Sequence, residues 1–164
     1  MSEPWLSGTL SGIDPVFAAL LYSFEQIREE IARWTERFST EQIWIRPQGL
    51  APLGFQIRHL AGSVDRLFTY ARGESLTPEQ MAALKSEMEP GASREELLAA
   101  LDAVFDRVAT EVRALNPATL HDPRFVGRQR LPTTVAGLLI HIAEHSQRHL
   151  GQAIVTAKLV KISP

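Results

Sequence analysis

Apolar residues recur in steps of three and four along four segments of this chain, and such spacing is typical of helices that pack side by side. The first segment covers residues 14–38, where Asp14 precedes Pro15 as an N-cap precedes a proline in the first helical turn. Its apolar stripe consists of Phe17, Leu20, Phe24, Ile27, Ile31, Trp34 and Phe38. We therefore predict that the first long helix begins near Asp14.

Two further segments repeat this spacing in the middle of the chain. Residues 52–72 predict a second helix that ends near Gly73, since glycine is common just beyond a helix C-terminus. Residues 93–115 predict a third helix, whose start carries Ser93 and, three residues later, Glu96. This pair has the spacing of a capping box, so the beginning of the third helix is defined by local chemistry.

The fourth segment, residues 133–161, begins with ordinary core positions and then becomes polar. Continuing the steps of three and four places His145, His149 and Gln152 where the other helices carry apolar side chains. A buried polar group without a partner costs about 1–3 kcal/mol. Two imidazoles at successive core positions therefore indicate a function for this part of the helix.

Long connections separate the second helix from the third, at residues 73–92, and the third from the fourth, at residues 116–132. Thr77 followed by Pro78 predicts a short additional helix within the first connection. No alternation of apolar and polar residues is long enough to predict a sheet. The sequence therefore predicts one all-α domain over residues 1–164, a four-helix bundle with long crossover connections.

The composition limits the partners and ligands that this chain is suited to bind. Its 164 residues carry a net charge of −2, which provides no broad positive field for a nucleic acid. The absence of cysteine excludes disulfides and thiolate ligands, so His, Asp or Glu would have to hold any metal. The N-terminus lacks the pattern of a secretory signal, and no apolar run reaches membrane-spanning length. We expect a cytoplasmic protein with neither a nucleic-acid nor a membrane partner.

Three histidines share one broad face of the predicted fourth helix, because His141, His145 and His149 are spaced by four residues. Two imidazoles one turn apart can bind the same ion. His145 and His149 continue the apolar stripe, whereas His141 lies at its flank, so we favour the first two as ligands. Of the other histidines, His59 lies in a helix that faces the core, and His121 lies in a connection. His59, His145 and His149 therefore predict a site for one divalent metal with an open position for water or substrate.

Two other metal motifs fit this sequence less well. His141 to His145 reads H-x-x-E-H, the inverzincin protease signature, but that site needs a downstream carboxylate ligand and no Asp or Glu follows His145. A di-iron bundle needs Glu-x-x-His pairs, and no histidine here has a glutamate three residues before it. We expect Glu144 to be an exposed partner of Arg148, four residues further on.

Four residues are candidates for lining the site or contacting a substrate. Gln56 and Gln152 are placed to line the pocket, and His141 lies one turn before His145. Arg128 belongs to a loop, residues 124–130, whose arginines could hold an anionic substrate. The sequence assigns no catalytic residue.

Two motifs resemble those of the DinB/YfiT-like metalloenzyme family. Its last helix carries a histidine, three spacers, a second histidine and then Gly-Gln, which here reads His145-Ser146-Gln147-Arg148-His149-Leu150-Gly151-Gln152. Its second-helix signature is similar to Pro52-Leu53-Gly54-Phe55-Gln56-Ile57-Arg58-His59-Leu60-Ala61. The resemblance implies an up-down-down-up bundle, often a homodimer. It also implies a metal on His59, His145 and His149: nickel or zinc, with iron and manganese as alternatives.

The resemblance also implies a range of activities, because relatives include bacillithiol-dependent thiol transferases, a mycothiol-dependent maleylpyruvate isomerase and metal-dependent hydrolases. We therefore expect a metal-dependent enzyme of the thiol-transferase or hydrolase type, in which the ion activates a low-molecular-weight thiol or water toward a small-molecule substrate. The alternative is a non-catalytic bundle in which the metal has a structural or ligand-sensing role.

Overall fold

The computed structural model describes residues 3–162 and consists mainly of long helices. Six α-helices occur within these residues: α1 (Pro15–Thr35), α2 (Thr40–Ile43), α3 (Leu53–Ala71), α4 (Pro78–Ser86), α5 (Arg94–Ala114) and α6 (Val135–Ile162). Two short strands, β1 (Pro123–Val126) and β2 (Leu131–Thr134), form an antiparallel hairpin between α5 and α6. The four long helices α1, α3, α5 and α6 correspond to the four predicted segments.

Local capping chemistry begins several of these helices where the sequence predicts. Asp14 accepts a hydrogen bond from the backbone N–H of Val16 at 2.9 Å, which starts α1. Ser93 and Glu96 form the reciprocal bonds of a capping box at the start of α5. Thr77 caps α4 in the same way, and this confirms the short helix predicted in the first connection.

The four long helices form an up-down-down-up bundle in which α1 and α3 each pack against both α5 and α6. Helix α1 is antiparallel to α5, α5 is parallel to α3, and α3 is antiparallel to α6. The bonded pairs that show these directions are Thr35 with Arg94, Arg28 with Asp106, Asp65 with Arg107, Arg72 with Glu111, His59 with His145, and Gln56 with His149. The predicted all-α class and topology are confirmed.

One hydrophobic core runs between these helices. Phe24 of α1 stacks on Phe105 of α5 with ring centroids 4.1 Å apart, and both rings are fully buried. Ile57 and Leu60 of α3 and Ile142 of α6 are also completely buried in it. No helix within residues 3–162 combines the length and apolar character needed to cross a bilayer.

The buried face of α6 differs from the predicted one. From Ile142 to Val160, its buried residues are Ile142, Ser146, Leu150, Ala153, Thr156, Ala157 and Val160. His145 and His149 are only partly buried, and Gln152 is exposed. Ile142 and Thr156, seven residues before and seven after His149, lie on the same stripe and are buried. The histidines therefore lie at the edge of the core, where solvent reaches them.

The hairpin is a further difference, because the sequence predicts no strand in the second connection. Each strand has only four residues and contains one proline, Pro123 or Pro132. Neither is long enough for its apolar and polar residues to indicate a strand in the sequence. Gly127 and Arg130, the first and last residues of its turn, both have positive φ. The hairpin continues directly into α6 and fixes where that helix begins.

Candidate metal centre

The antiparallel packing of α3 on α6 brings together the three histidines predicted as ligands. His59 Nε2 lies 3.1 Å from His145 Nε2, and the rings of His145 and His149 are one turn apart on α6 with centroids separated by 4.5 Å. The His59 and His149 rings have centroids 4.3 Å apart. These rings, which we call the histidine cluster, each offer one nitrogen to a common point.

The donor set of the histidine cluster suits a divalent metal. The three nitrogens lie within 4.8 Å of one another, and an ion with tetrahedral bonds of about 2.1 Å would hold them about 3.4 Å apart. One pair already meets this spacing. Since no pair is more than 4.8 Å apart, ring rotations that move a nitrogen by at most about 1.4 Å would bring all three to this spacing.

Glu87 holds His59 from the side facing away from the cluster. Its Oε2 lies 2.6 Å from His59 Nδ1, and its Oε1 accepts a hydrogen bond from Arg66 Nη1 at 2.7 Å. Burial alone would raise the pKa of the Glu87 carboxyl, but the hydrogen bonds and charges of His59 and Arg66 together hold that pKa below its ordinary value. An ionised Glu87 accepts the Nδ1–H of His59, which leaves the lone pair of Nε2 directed at the cluster.

The chain segment that carries Glu87 is itself fastened to α3. Arg58 donates hydrogen bonds to the carbonyl oxygens of Ser86 at 3.0 Å and Glu89 at 2.6 Å, on either side of Glu87. Gly62 leaves room for the carboxylate, because a Cβ there would lie 2.6 Å from Glu87 Oε1. The position of Glu87 is thus set by the residue immediately before His59 and by a glycine three residues after it.

Gln56 gives His149 an equivalent support. Its side-chain oxygen lies 2.7 Å from His149 Nδ1, and the glutamine is only 3% exposed. With Nδ1–H donated to this oxygen, His149 also presents an unprotonated Nε2 to the cluster. Gln56 was a sequence candidate for lining the site, and the structure places it against a ligand candidate.

Two of the three rings are biased toward the neutral form. Burial, followed by the nearby His59 and His145, lowers the pKa of His149 from 6.5 to about 4. Burial also lowers the pKa of His145, with smaller effects from His59 and His141. Neutral imidazoles are the form that binds metal, so these two rings are ready to do so at neutral pH.

Two other sequence candidates on α6 lie outside the histidine cluster. His141 is exposed, with Nδ1 at 3.2 Å from Glu144, and it does not belong to the group of nitrogens that could share an ion. Glu144 is exposed and pairs with Arg148, as predicted. Gln152 is exposed but lines a groove that also includes Gln56.

The structure does not bring Arg128 to the histidine cluster. Arg128 lies exposed in the turn of the hairpin, and Arg124 of the same hairpin donates a hydrogen bond to the carbonyl of Ala71 at 2.7 Å. About 18 Å of helix separates Ala71 from His59. The arginine loop therefore packs at the end of α3 that is remote from the cluster, and it is not placed to hold a substrate there.

Sequence reasoning missed Glu87 and Arg66. Arg66 lies about 180° around α3 from Ile57, on the face opposite the apolar stripe, where an arginine is ordinarily exposed, so the sequence pattern does not mark it as buried. Its partner Glu87 could not be identified either, since Glu87 lies in a connection without periodic pattern.

Comparison with known proteins places this fold and site in context. No curated protein matches the chain. A similar solved structure is that of YfiT from Bacillus subtilis, described as a probable metal-dependent hydrolase with an unusual four-helix bundle topology. The match has a TM-score of 0.69 at 16% identity over 95% of this chain and 94% of YfiT, which shows a common fold. A sequence profile of the DinB superfamily matches residues 23–153, and the chain therefore belongs to the DinB superfamily.

Proposed function

We propose that this protein is a metal-dependent enzyme of the thiol-transferase or hydrolase type. His59, His145 and His149 hold one divalent ion, nickel or zinc, which activates a low-molecular-weight thiol or water. The observation that carries the proposal is the convergence of three imidazole nitrogens, two of them on rings whose opposite nitrogen is bonded to Glu87 or Gln56.

The short contact between His59 and His145 supports a cation at this point. His59 donates its Nδ1 proton to Glu87, so its Nε2 carries a lone pair toward His145 Nε2, 3.1 Å away. In the metal-free protein, a proton on one of the two Nε2 atoms would have to fill that contact. One divalent ion would replace this proton and would also satisfy the lone pair of His149.

The chemistry of the site divides between the ion and the protein. When bound, the ion lowers the pKa of a coordinated thiol or water, and thus supplies a nucleophile near neutral pH. Glu87 and Gln56 keep the rings of His59 and His149 in the required tautomer and orientation. Glu87 is a poor general base, because His59 and Arg66 occupy its two oxygens and its pKa is lowered.

The setting of the histidine cluster favours catalysis over a purely structural ion. Structural zinc sites usually enclose the ion with four protein ligands, whereas catalytic sites keep a position open. All three rings are partly exposed, and within residues 3–162 no fourth His, Asp or Glu joins their group. Solvent and small molecules would therefore reach the ion.

Elemental analysis of the wild type beside His145→Ala and His121→Ala tests the proposal. His121 is exposed in the second connection and serves as the matched control. We expect roughly one ion per chain in the wild type and the control, and loss of the ion in His145→Ala. Small thiols should then perturb the visible spectrum of the nickel-loaded or cobalt-loaded protein. Folded wild-type protein that takes up no divalent metal would overturn the metal site, and an ion inert to thiols and to exchange with water would favour a structural role.

A further inference from the structure

A groove of about 670 Å³ lies next to the histidine cluster, between the chain leading into α3 and the second half of α6. Gln56, which supports His149, belongs to its wall. Gly151 and Gln152, two and three residues after His149, also line it. The groove therefore lies directly beside His149, and its volume suits a small molecule.

Gly151 is unexplained by the packing of the protein itself. Glycine inside a helix destabilises it relative to alanine, so a structural reason is expected. Gly54 and Gly62 have one, because a Cβ at either would lie 2.6 Å from Trp44 or Glu87. A Cβ at Gly151 would meet no heavy atom within 4 Å. The space that Gly151 leaves open belongs to the groove.

The lining of the groove combines apolar surface with one cation. Leu50 and Val155 are 44% and 52% exposed, although both are apolar. Arg148 also lines the groove, and its present partner Glu144 is as exposed as Arg148 itself. Exposed ion pairs contribute little to stability, so Arg148 can turn from Glu144 to an anion in the groove at small cost.

We propose that this groove binds the substrate of the metal centre, and that the substrate is a small amphipathic carboxylate. Its charged group pairs with Arg148 beside His149, and its apolar part extends over Gly151 toward Leu50 and Val155. The inference rests on the proposed function, since the metal centre would supply the reaction.

Straight-chain carboxylates from butanoate to decanoate, with their primary amides as uncharged counterparts, test the inference. Each is titrated into metal-free and metal-loaded protein, and the dissociation constants are measured by calorimetry or NMR. We expect affinity to rise by about fourfold per methylene group as apolar surface is buried. We expect each acid to bind about fivefold more tightly than its amide, including in the metal-free protein.

Matched variants test the apolar part of the groove and Arg148 independently. A Cβ at position 151 meets no neighbouring atom, so Gly151→Leu extends into the open groove and should weaken decanoate by at least about tenfold while metal content and helicity stay unchanged. Ala99→Leu, on an exposed face of α5, is its control. Arg148→Gln should remove the preference for acid over amide, whereas Arg113→Gln at the end of α5 should retain it.

The outcomes distinguish this inference from the proposed function. The inference would be overturned if metal-loaded protein bound the acids with an affinity independent of chain length, or unchanged in Gly151→Leu. This result would not affect the proposed metal site. Binding that depends on chain length and on Arg148 in protein that takes up no metal would support the groove and overturn the metal-dependent function.

Discussion

Removing Glu87 is the most informative single change, because this side chain connects the stability of the fold to the geometry of the histidine cluster. In Glu87→Ala, His59 loses its acceptor and Arg66 is left as an unpaired charge. Glu87 is 4% exposed and Arg66 is 8% exposed, so water compensates little. Breaking one side of a buried ion pair costs about 3–5 kcal/mol, and we expect about 3 kcal/mol here because Arg66 retains slight access to solvent.

The same change should weaken metal binding by about 10- to 100-fold, the usual effect of removing the hydrogen-bond partner of a ligating histidine. Denaturant unfolding of the metal-free protein measures the stability, and competition with a chelator measures the metal affinity. Glu89→Ala is the matched control, since Glu89 is exposed two residues further along the same segment. A Glu87→Ala protein with the midpoint and metal affinity of that control would refute the role assigned to Glu87.

Three further predictions concern neighbours of Glu87 and the other supported ring. Gln56→Leu should lower metal affinity by about tenfold, since His149 loses the acceptor of its Nδ1 proton. Competition with a chelator measures this affinity, and an unchanged value would contradict the role of Gln56 in orienting His149. Gly62→Ala should destabilise the protein by about 1–2 kcal/mol in thermal unfolding, because the added Cβ would lie 2.6 Å from Glu87 Oε1 and disturb its ion pair with Arg66 by more than the helix gains from alanine. An unchanged or raised melting temperature would show that the carboxylate moves freely. His149 has a pKa of about 4 when folded and near 6.5 when unfolded, so the unfolded metal-free chain binds more protons between these values. The free energy of unfolding of the metal-free protein should therefore fall by about 1–2 kcal/mol as the pH is lowered from 6.5 to 4, because the ring is only partly buried. Urea titrations measure this change, and a free energy independent of pH over this range would contradict the lowered pKa of His149.

The sequence by itself determined the long helices and most of their starting points. The caps at Asp14, Thr77 and Ser93 act between residues two or three positions apart, so they are readable without knowledge of the fold. The pairing of His145 with His149 is equally local, because one helical turn brings residues four apart together.

Tertiary structure decided which surfaces these helices share. His145 and His149 are only partly buried, although Ile142 and Thr156, one heptad to either side of His149, are buried. The hairpin depends on pairing between two strands that are individually too short to show a pattern. It carries Arg128 to the remote end of α3, although the sequence suggested a place near the substrate.

The support of the candidate metal site was also decided only by tertiary packing. Glu87, within the first long connection, contacts His59 of α3, and Gln56 of α3 contacts His149 of the antiparallel helix α6. No short-range rule couples residues so distant in sequence. Glu87 and Arg66 are buried together because each satisfies the charge of the other, and that requirement acts only once α3 and the segment after α4 have packed.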